Sequence, residues 1–268
     1  MKNFGLGKNS LEEIIDEEVQ KLVQYIDDHW VNIPIDMSNF FSISVLSSLW
    51  RIISGESLPI NDVKLKYLCQ LTQEGLVEKG DPLMALANQY PTFFKILIKY
   101  GYSKWHTMLI ELMKYCKGAI DSCKERKIDG NNPLTFIEAM LYKIQNNDDV
   151  SSPLHGDQGE LNLLNVLVDL FVAGSDTTST SLNWSMLFMI THPDIQTNVR
   201  EELISSFGTA RITMSDKSLA PYTEAVLHEI QRKGNIAPLA LFHQNNQPLE
   251  IENFWIPRAG SFKSELEK

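Results

Sequence analysis

The sequence has 268 residues, 43% of them hydrophobic, with 34 acidic and 24 basic side chains and a net charge of −10. That length is enough to bury a substantial core, and the hydrophobic fraction is too low for a polytopic membrane protein. The acidic balance provides no basic footprint for nucleic acid. Three cysteines, an odd number without paired spacing, do not suggest a disulfide framework. Cys116 and Cys123, seven apart on one expected helix, read as reduced packing residues. No apolar run opens the chain, so neither a signal peptide nor a transmembrane anchor is expected.

In chain order, Ser10-Leu11-Glu12-Glu13 has the spacing of a capping box. Leu11, Ile15, Val19, Leu22 and Ile26 follow at helical spacing, with Glu12, Asp16, Glu17 and Gln20 on the wet side. Asp36 begins a second expected helix, which runs through Trp50 to Gly55. A third is expected from Asn61 to about Val77, broken at Gly80-Asp81-Pro82. Tyr90 to Tyr100 is aromatic and apolar, read as a loop with a short helix. A long amphipathic helix spans Trp105 to Lys127 and stops at Asp129-Gly130, and Thr135-Phe136-Ile137-Glu138 opens another with a capping box. Residues 146–159 (NNDDVSSPLHGDQG) are polar and rich in turn formers, and are expected to be a mobile surface loop.

Next comes the stretch around which the chain is organised, Leu161 to Ile190. Its first half is apolar on nearly every face, which predicts a buried helix. Asn162, Asn165 and Asp169 interrupt it too often for a membrane span. At Ala173-Gly174 bulk disappears, and Ser175 to Ser181 places hydroxyls and a carboxylate where a core helix would carry leucine. Gly174 permits close approach to the helix backbone, and Thr177, four residues after Ala173, can bond back to its carbonyl. Asp176 and Thr177 then form an acid–hydroxyl pair suited to passing protons. A helix crossing made with small residues, its hydroxyls incidental, is the bland alternative.

Thr191-His192-Pro193 restarts the chain as a helix with proline in its first turn, and Pro221 heads the next one. That helix carries Glu229-Ile230-Gln231-Arg232, whose acid and base lie three apart on one face. Beyond it, Ile236 to His243 and Leu249 to Ile256 read as short strands. The fold class is mainly α with a small β-sheet region.

Ala173-Gly174-Ser175-Asp176-Thr177-Thr178 resembles the A-G-x-D-T-T signature in the long central helix of cytochromes P-450, the haem-thiolate monooxygenases. Glu229 to Arg232 matches the family's E-x-x-R in the right order, and the surrounding phrases are similar to the animal microsomal family 2 group. The resemblance implies one partial domain over residues 1–268, from the family's fourth helix to the strands after the E-x-x-R helix. It implies a haem cofactor faced by Ala173, Gly174 and Thr177, with His243 against a propionate. Asp176 and Thr177 would be the catalytic proton relay, Pro238, Leu239 and Ala240 would line the substrate pocket, and Glu229 and Arg232 would form a buried structural ion pair. The implied partners are a small apolar organic substrate and an NADPH-dependent reductase, at the endoplasmic reticulum membrane for the full-length family, or in the cytoplasm for the chain as written. The family's ligand cysteine loop, F-x-x-G-x-x-x-C-x-G, has no counterpart around Cys69, Cys116 or Cys123, so no metal ligand is assigned. Truncation at both ends is expected on this comparison. The chain then reads as inactive alone, with a non-catalytic isoform or a helical interaction protein as the alternative.

Overall fold

The computed structural model describes residues 9–29, 33–34, 36–37, 40–59, 62–78, 90, 92, 96, 103–126, 134–238, 243–258 and 261–262. Helices dominate: α1 (Asn9–His29), α2 (Ser42–Ser54), α3 (Val63–Glu78), α4 (Lys104–Lys124), α5 (Phe136–Gln145), α6 (Gly156–Thr191), α7 (Pro193–Phe207) and α8 (Pro221–Gly234). A 3-10 turn covers Met214–Leu219, and four short strands follow, β1 (His243–Gln244), β2 (Leu249–Ile251), β3 (Phe254–Ile256) and β4 (Ser261–Phe262). The chain divides into two compact units, Met1–Asn183 and Trp184–Lys268.

The first unit is built on one hydrophobic core. Leu46, Trp50 and Ile53 of α2 repeat at helical spacing and meet Leu65 and Leu68 of α3, Met108 and Leu112 of α4, Ile137 and Leu141 of α5, and Leu163, Leu167 and Phe171 of α6. All are 1% exposed or less, which is the packing an amphipathic stripe achieves only against other stripes. Trp50, Tyr115 and Phe171 pack as an aromatic cluster, with Trp50 and Tyr115 centroids 4.7 Å apart. Around this core the termini follow local chemistry. Thr135 accepts from the Glu138 amide at 3.2 Å while the Glu138 carboxylate accepts from the Thr135 amide, which is the predicted capping box. Gly55 closes α2 in the left-handed region at φ 79°.

Several predicted boundaries move. The α2 helix begins at Ser42 rather than Asp36, where its apolar face first meets the core. The α1 helix includes Ser10, the expected cap, one residue inside its start at Asn9. The α4 cap is Ser103, whose hydroxyl accepts from the His106 amide. Gly156 to Gly159, expected in the loop, open α6 instead. A Cβ on Gly159 would lie 2.6 Å from the Leu154 carbonyl oxygen, so the chain there is too tight for a side chain. Gly80-Asp81-Pro82, most of Tyr90 to Tyr100 and Asp129-Gly130 lie outside the described residues.

In the second unit, Pro193 and Pro221 stand at the first helical positions, as expected. Glu202 of α7 accepts from the Tyr222 and Thr223 amides and from the Thr223 hydroxyl, at 2.6–2.9 Å, and so caps α8 from a neighbouring helix. The run Leu249–Ile256, read as a strand, is a two-stranded hairpin pairing Leu249 with Ile256 and Ile251 with Phe254. Glu252 and Asn253 turn it with φ of 47° and 71°, the two successive positive values of a two-residue hairpin loop. Asn245 pins its ends by donating to the Gln247 and Pro257 carbonyls.

Candidate functional site

The α6 helix runs unbroken for 36 residues and buries a stripe spaced by four: Gly159, Leu163, Leu167, Phe171, Ser175 and Ser179. The expectation that its apolar half is buried all round is corrected here. Leu161 and Val166 are 47% and 39% exposed, because Asn165, Asp169 and their neighbours share the face turned from the core.

This division explains how the polar segment is tolerated. Ser175 and Ser179 lie on the buried stripe, and each satisfies its hydroxyl on a carbonyl four residues back, Phe171 at 2.8 Å and Ser175 at 2.7 Å. Burying a hydroxyl without such a partner costs stability. On the open side, Thr177 donates to the Ala173 carbonyl at 2.8 Å, the predicted bond. Ser181 repeats the pattern on Thr177 at 2.9 Å. Thr177 is exposed, and its hydroxyl hydrogen is committed to Ala173 while its lone pairs remain able to accept. Asp176 beside it is half-buried, and that burial pushes its carboxyl above the ordinary carboxylate range. The two are consecutive on the helix, so the acid that holds its proton longer than usual and the hydroxyl with free lone pairs leave the backbone about 100° apart.

Gly174 does admit a close neighbour. The close approach it allows is made by Leu49 of α2, whose Cδ2 would stand 2.7 Å from a Cβ on Gly174. Nothing in the sequence links positions so far apart, and Leu49 was not among the expected site residues.

The second unit holds the other expected residues. Arg232 grips Glu229 through Nε and Nη2 at 2.8 and 2.7 Å, so the pair exists and is bidentate. Its expected burial is corrected: Arg232 and Glu229 side chains are 50% and 55% exposed. Helical geometry gives the reason. Ile230 is the buried position of α8, and Arg232, two residues on, points about 200° around the helix. The pair still holds Glu229 below its usual range through the Arg232 hydrogen bond. Glu229 also rims a hollow of about 280 Å³ lined by Phe188, Met189, His192, Val226 and Ile230 among others. That is at the small end for a ligand site. Pro238 is exposed after α8. His243 lies on β1 opposite Phe262, with only its backbone described. Leu239 and Ala240 lie outside the described residues.

The cysteines bear on what could hold a metal. Burial pushes the Cys69 and Cys116 thiols up to about 12. Burial also raises Cys123, with Glu138 adding to the rise and Arg126 opposing it. A metal-ligating cysteine must be a thiolate, and burial disfavours that form at all three. Among the described residues, no helix is long and apolar enough to cross a membrane.

A mainly helical chain whose longest helix carries an acid–hydroxyl turn, followed by an E-x-x-R helix and short strands, defines the class. The cytochrome P450 family model matches residues 1–260, and the chain belongs to the cytochrome P450 family. It is 31% identical to cytochrome P450 2J5 of Mus musculus over 262 residues, covering 96% of this chain and 50% of that protein. It is 31% identical to cytochrome P450 2D6 of Homo sapiens over 272 residues, 99% of this chain and 52% of that protein. For cytochrome P450 2G1 of Rattus norvegicus the identity is 30%, over 96% of this chain and 51% of that protein. The chain spans about half the length of these curated relatives. The family is haem-dependent, and haem is the cofactor that membership assigns.

Proposed function

We propose that this chain supplies the proton-handling side of a haem-dependent monooxygenase that inserts one oxygen atom of dioxygen into a small apolar organic substrate. The observation that carries this reading is the Ala173–Thr177 turn, with its back-bonded hydroxyl and half-buried acid on the open face of α6. Haem, when bound through a cysteine thiolate, supplies dioxygen activation. Ala173 and Thr177 are the α6 positions that would lie against it, while the close contact at Gly174 belongs to Leu49. His243 would meet a propionate, and Pro238, Leu239 and Ala240 would line the substrate side.

Asp176 takes protons from solvent, and burial lets it hold one to higher pH than an ordinary aspartate does. Thr177 accepts that proton on a lone pair while its own hydroxyl hydrogen turns from the Ala173 carbonyl to an acceptor in the substrate pocket, so one proton enters the hydroxyl as one leaves it. Electrons would come from an NADPH-dependent reductase, at the endoplasmic reticulum membrane. We read residues 1–268 as part of one P450 domain, with residues 146–155 as a mobile loop ahead of α6.

The iron side is different. None of Cys69, Cys116 and Cys123 fits the thiolate role, because each is packed into the hydrophobic core with no room for a haem beside it. We therefore propose that the 268-residue chain by itself forms no thiolate-ligated haem and hydroxylates nothing, so that a non-catalytic role is the second reading. The test is to add haem to the chain, reduce it and expose it to carbon monoxide. The expected spectrum lacks the strongly red-shifted Soret band of a thiolate complex. That band, lost in Cys69→Ala, Cys116→Ala or Cys123→Ala, would overturn the proposal and name the ligand.

A further inference from the structure

Resting on the reading of Asp176 and Thr177 as the proton-handling pair, we propose that Leu49 is a positioning residue. Seated against the bare backbone of Gly174, it sets where the Ala173–Thr177 turn stands and how far the Asp176 carboxyl is withdrawn from solvent. The contact is close: a Cβ on Gly174 would lie 2.7 Å from Leu49 Cδ2 and 3.9 Å from its Cγ. Real carbon atoms do not approach to the shorter distance, so glycine is required while Leu49 holds its place.

Both sides of the contact are anchored. Leu49 is carried by α2, whose Leu46, Trp50 and Ile53 are fully buried. On α6 the contact falls between Phe171, packed edge-on to Trp50 at 6.4 Å, and Ser175, which is bonded back to the Phe171 carbonyl. The turn beyond is tied to the core, because the Ser179 hydroxyl donates to the Ser175 carbonyl at 2.7 Å and reaches that of Asp176 at 3.1 Å. With Phe171 and Ser179 fixed in the core, a Cβ at Gly174 must displace either the Leu49 side chain or the turn that carries Asp176 and Thr177.

The test uses the sign of a substitution. Alanine in a helix interior is normally more stable than glycine. Gly174→Ala should therefore raise Tm if nothing blocks it, and lower Tm if Leu49 does. We expect Gly174→Ala to lower Tm and to shift the midpoint of the Asp176 carboxyl, read by NMR of ¹³C-labelled aspartate. In a Leu49→Ala background the same substitution should raise Tm and bring the Asp176 midpoint back toward the wild-type value, a non-additive pair. Should Leu49→Ala not fold, Leu49→Met keeps the bulk on an unbranched, adaptable chain and should give the same reversal. Additive changes in Tm with an unmoved Asp176 midpoint would overturn the proposal, since Leu49 would then simply rotate aside. Neither readout requires haem, so a failed haem assay leaves this result standing, and the reverse holds too.

Discussion

In residues 1–183, Leu46, Trp50, Ile53, Met108, Leu112, Ile137, Leu163, Leu167 and Phe171 are all 1% exposed or less. In residues 184–268, the buried residues among those described are Ala220, Ile230 and Asn245. Large apolar side chains there stand open instead, with Ile190 at 65%, Phe254 at 74% and Trp255 at 67% exposed. Order in the second unit comes from hydrogen bonds at element ends: Glu202 capping α8, Thr213 and Asp216 capping each other across the 3-10 turn, and Asn245 closing the hairpin. The contrast teaches where each unit's stability comes from. Apolar burial is worth about 25 cal/mol per Å², whereas a net hydrogen bond gives only about 1 kcal/mol. The first unit is held by packing and the second by caps.

The largest expected effect is therefore in the first unit. Phe171→Ala removes a fully buried ring in contact with Trp50 and Tyr115 and should cost about 3–5 kcal/mol in urea unfolding. Ile230→Ala, the matching deletion in the second unit, should cost about 2 kcal/mol, the low end for such a truncation. An equal cost at both positions would break the comparison.

Glu202→Gln should come next. It weakens the cap on α8, so the Tyr222 and Thr223 amides should exchange with solvent faster while the α2 and α6 amides are unaffected. Desolvation pushes the Glu202 carboxyl up, but the Thr223 side chain and the two amides outweigh it and hold the carboxyl below its usual range. Its contribution is therefore present above the ordinary glutamate value and lost as pH falls through the lowered one. A rise in α8 amide protection factors as pH falls, after correction for the intrinsic slowing of exchange in acid, would contradict this.

A smaller effect of the opposite sign is expected at Asp176. Burial raises its carboxyl, so the folded chain holds that proton more tightly than the unfolded chain does. Stability should fall as pH rises from the ordinary aspartate value through the raised one. Asp176→Asn should remove that decline, which parallel melts across mildly acidic pH would show. Smallest of all is Arg232→Ala. With the pair exposed, it should leave Tm unchanged within error, although a buried pair would lose much more. A clear fall in Tm would mean that Glu229 is stranded, and would restore the expected burial.

The sequence made much of this legible because several rules are local. The Thr135–Glu138 box, Pro193 and Pro221 at first turns, Gly55 at a helix end and the Thr177 bond to Ala173 each depend on residues within four positions. The hairpin was missed because Glu252-Asn253 carries no glycine to announce the turn, and its alternating neighbours read as one strand.

By itself, then, the sequence determined the helices, the order of the two motifs and hence the family, since periodicity and short motifs are written in neighbouring residues. Tertiary structure alone decided that Leu49 occupies the space at Gly174, that Glu202 caps a helix twenty residues on, that Ser175 is buried while Thr177 is open, and that Glu229 and Arg232 meet in solvent. Each of these depends on which face of a helix meets which neighbour. That choice is made by the whole core at once, and no window along the chain contains it.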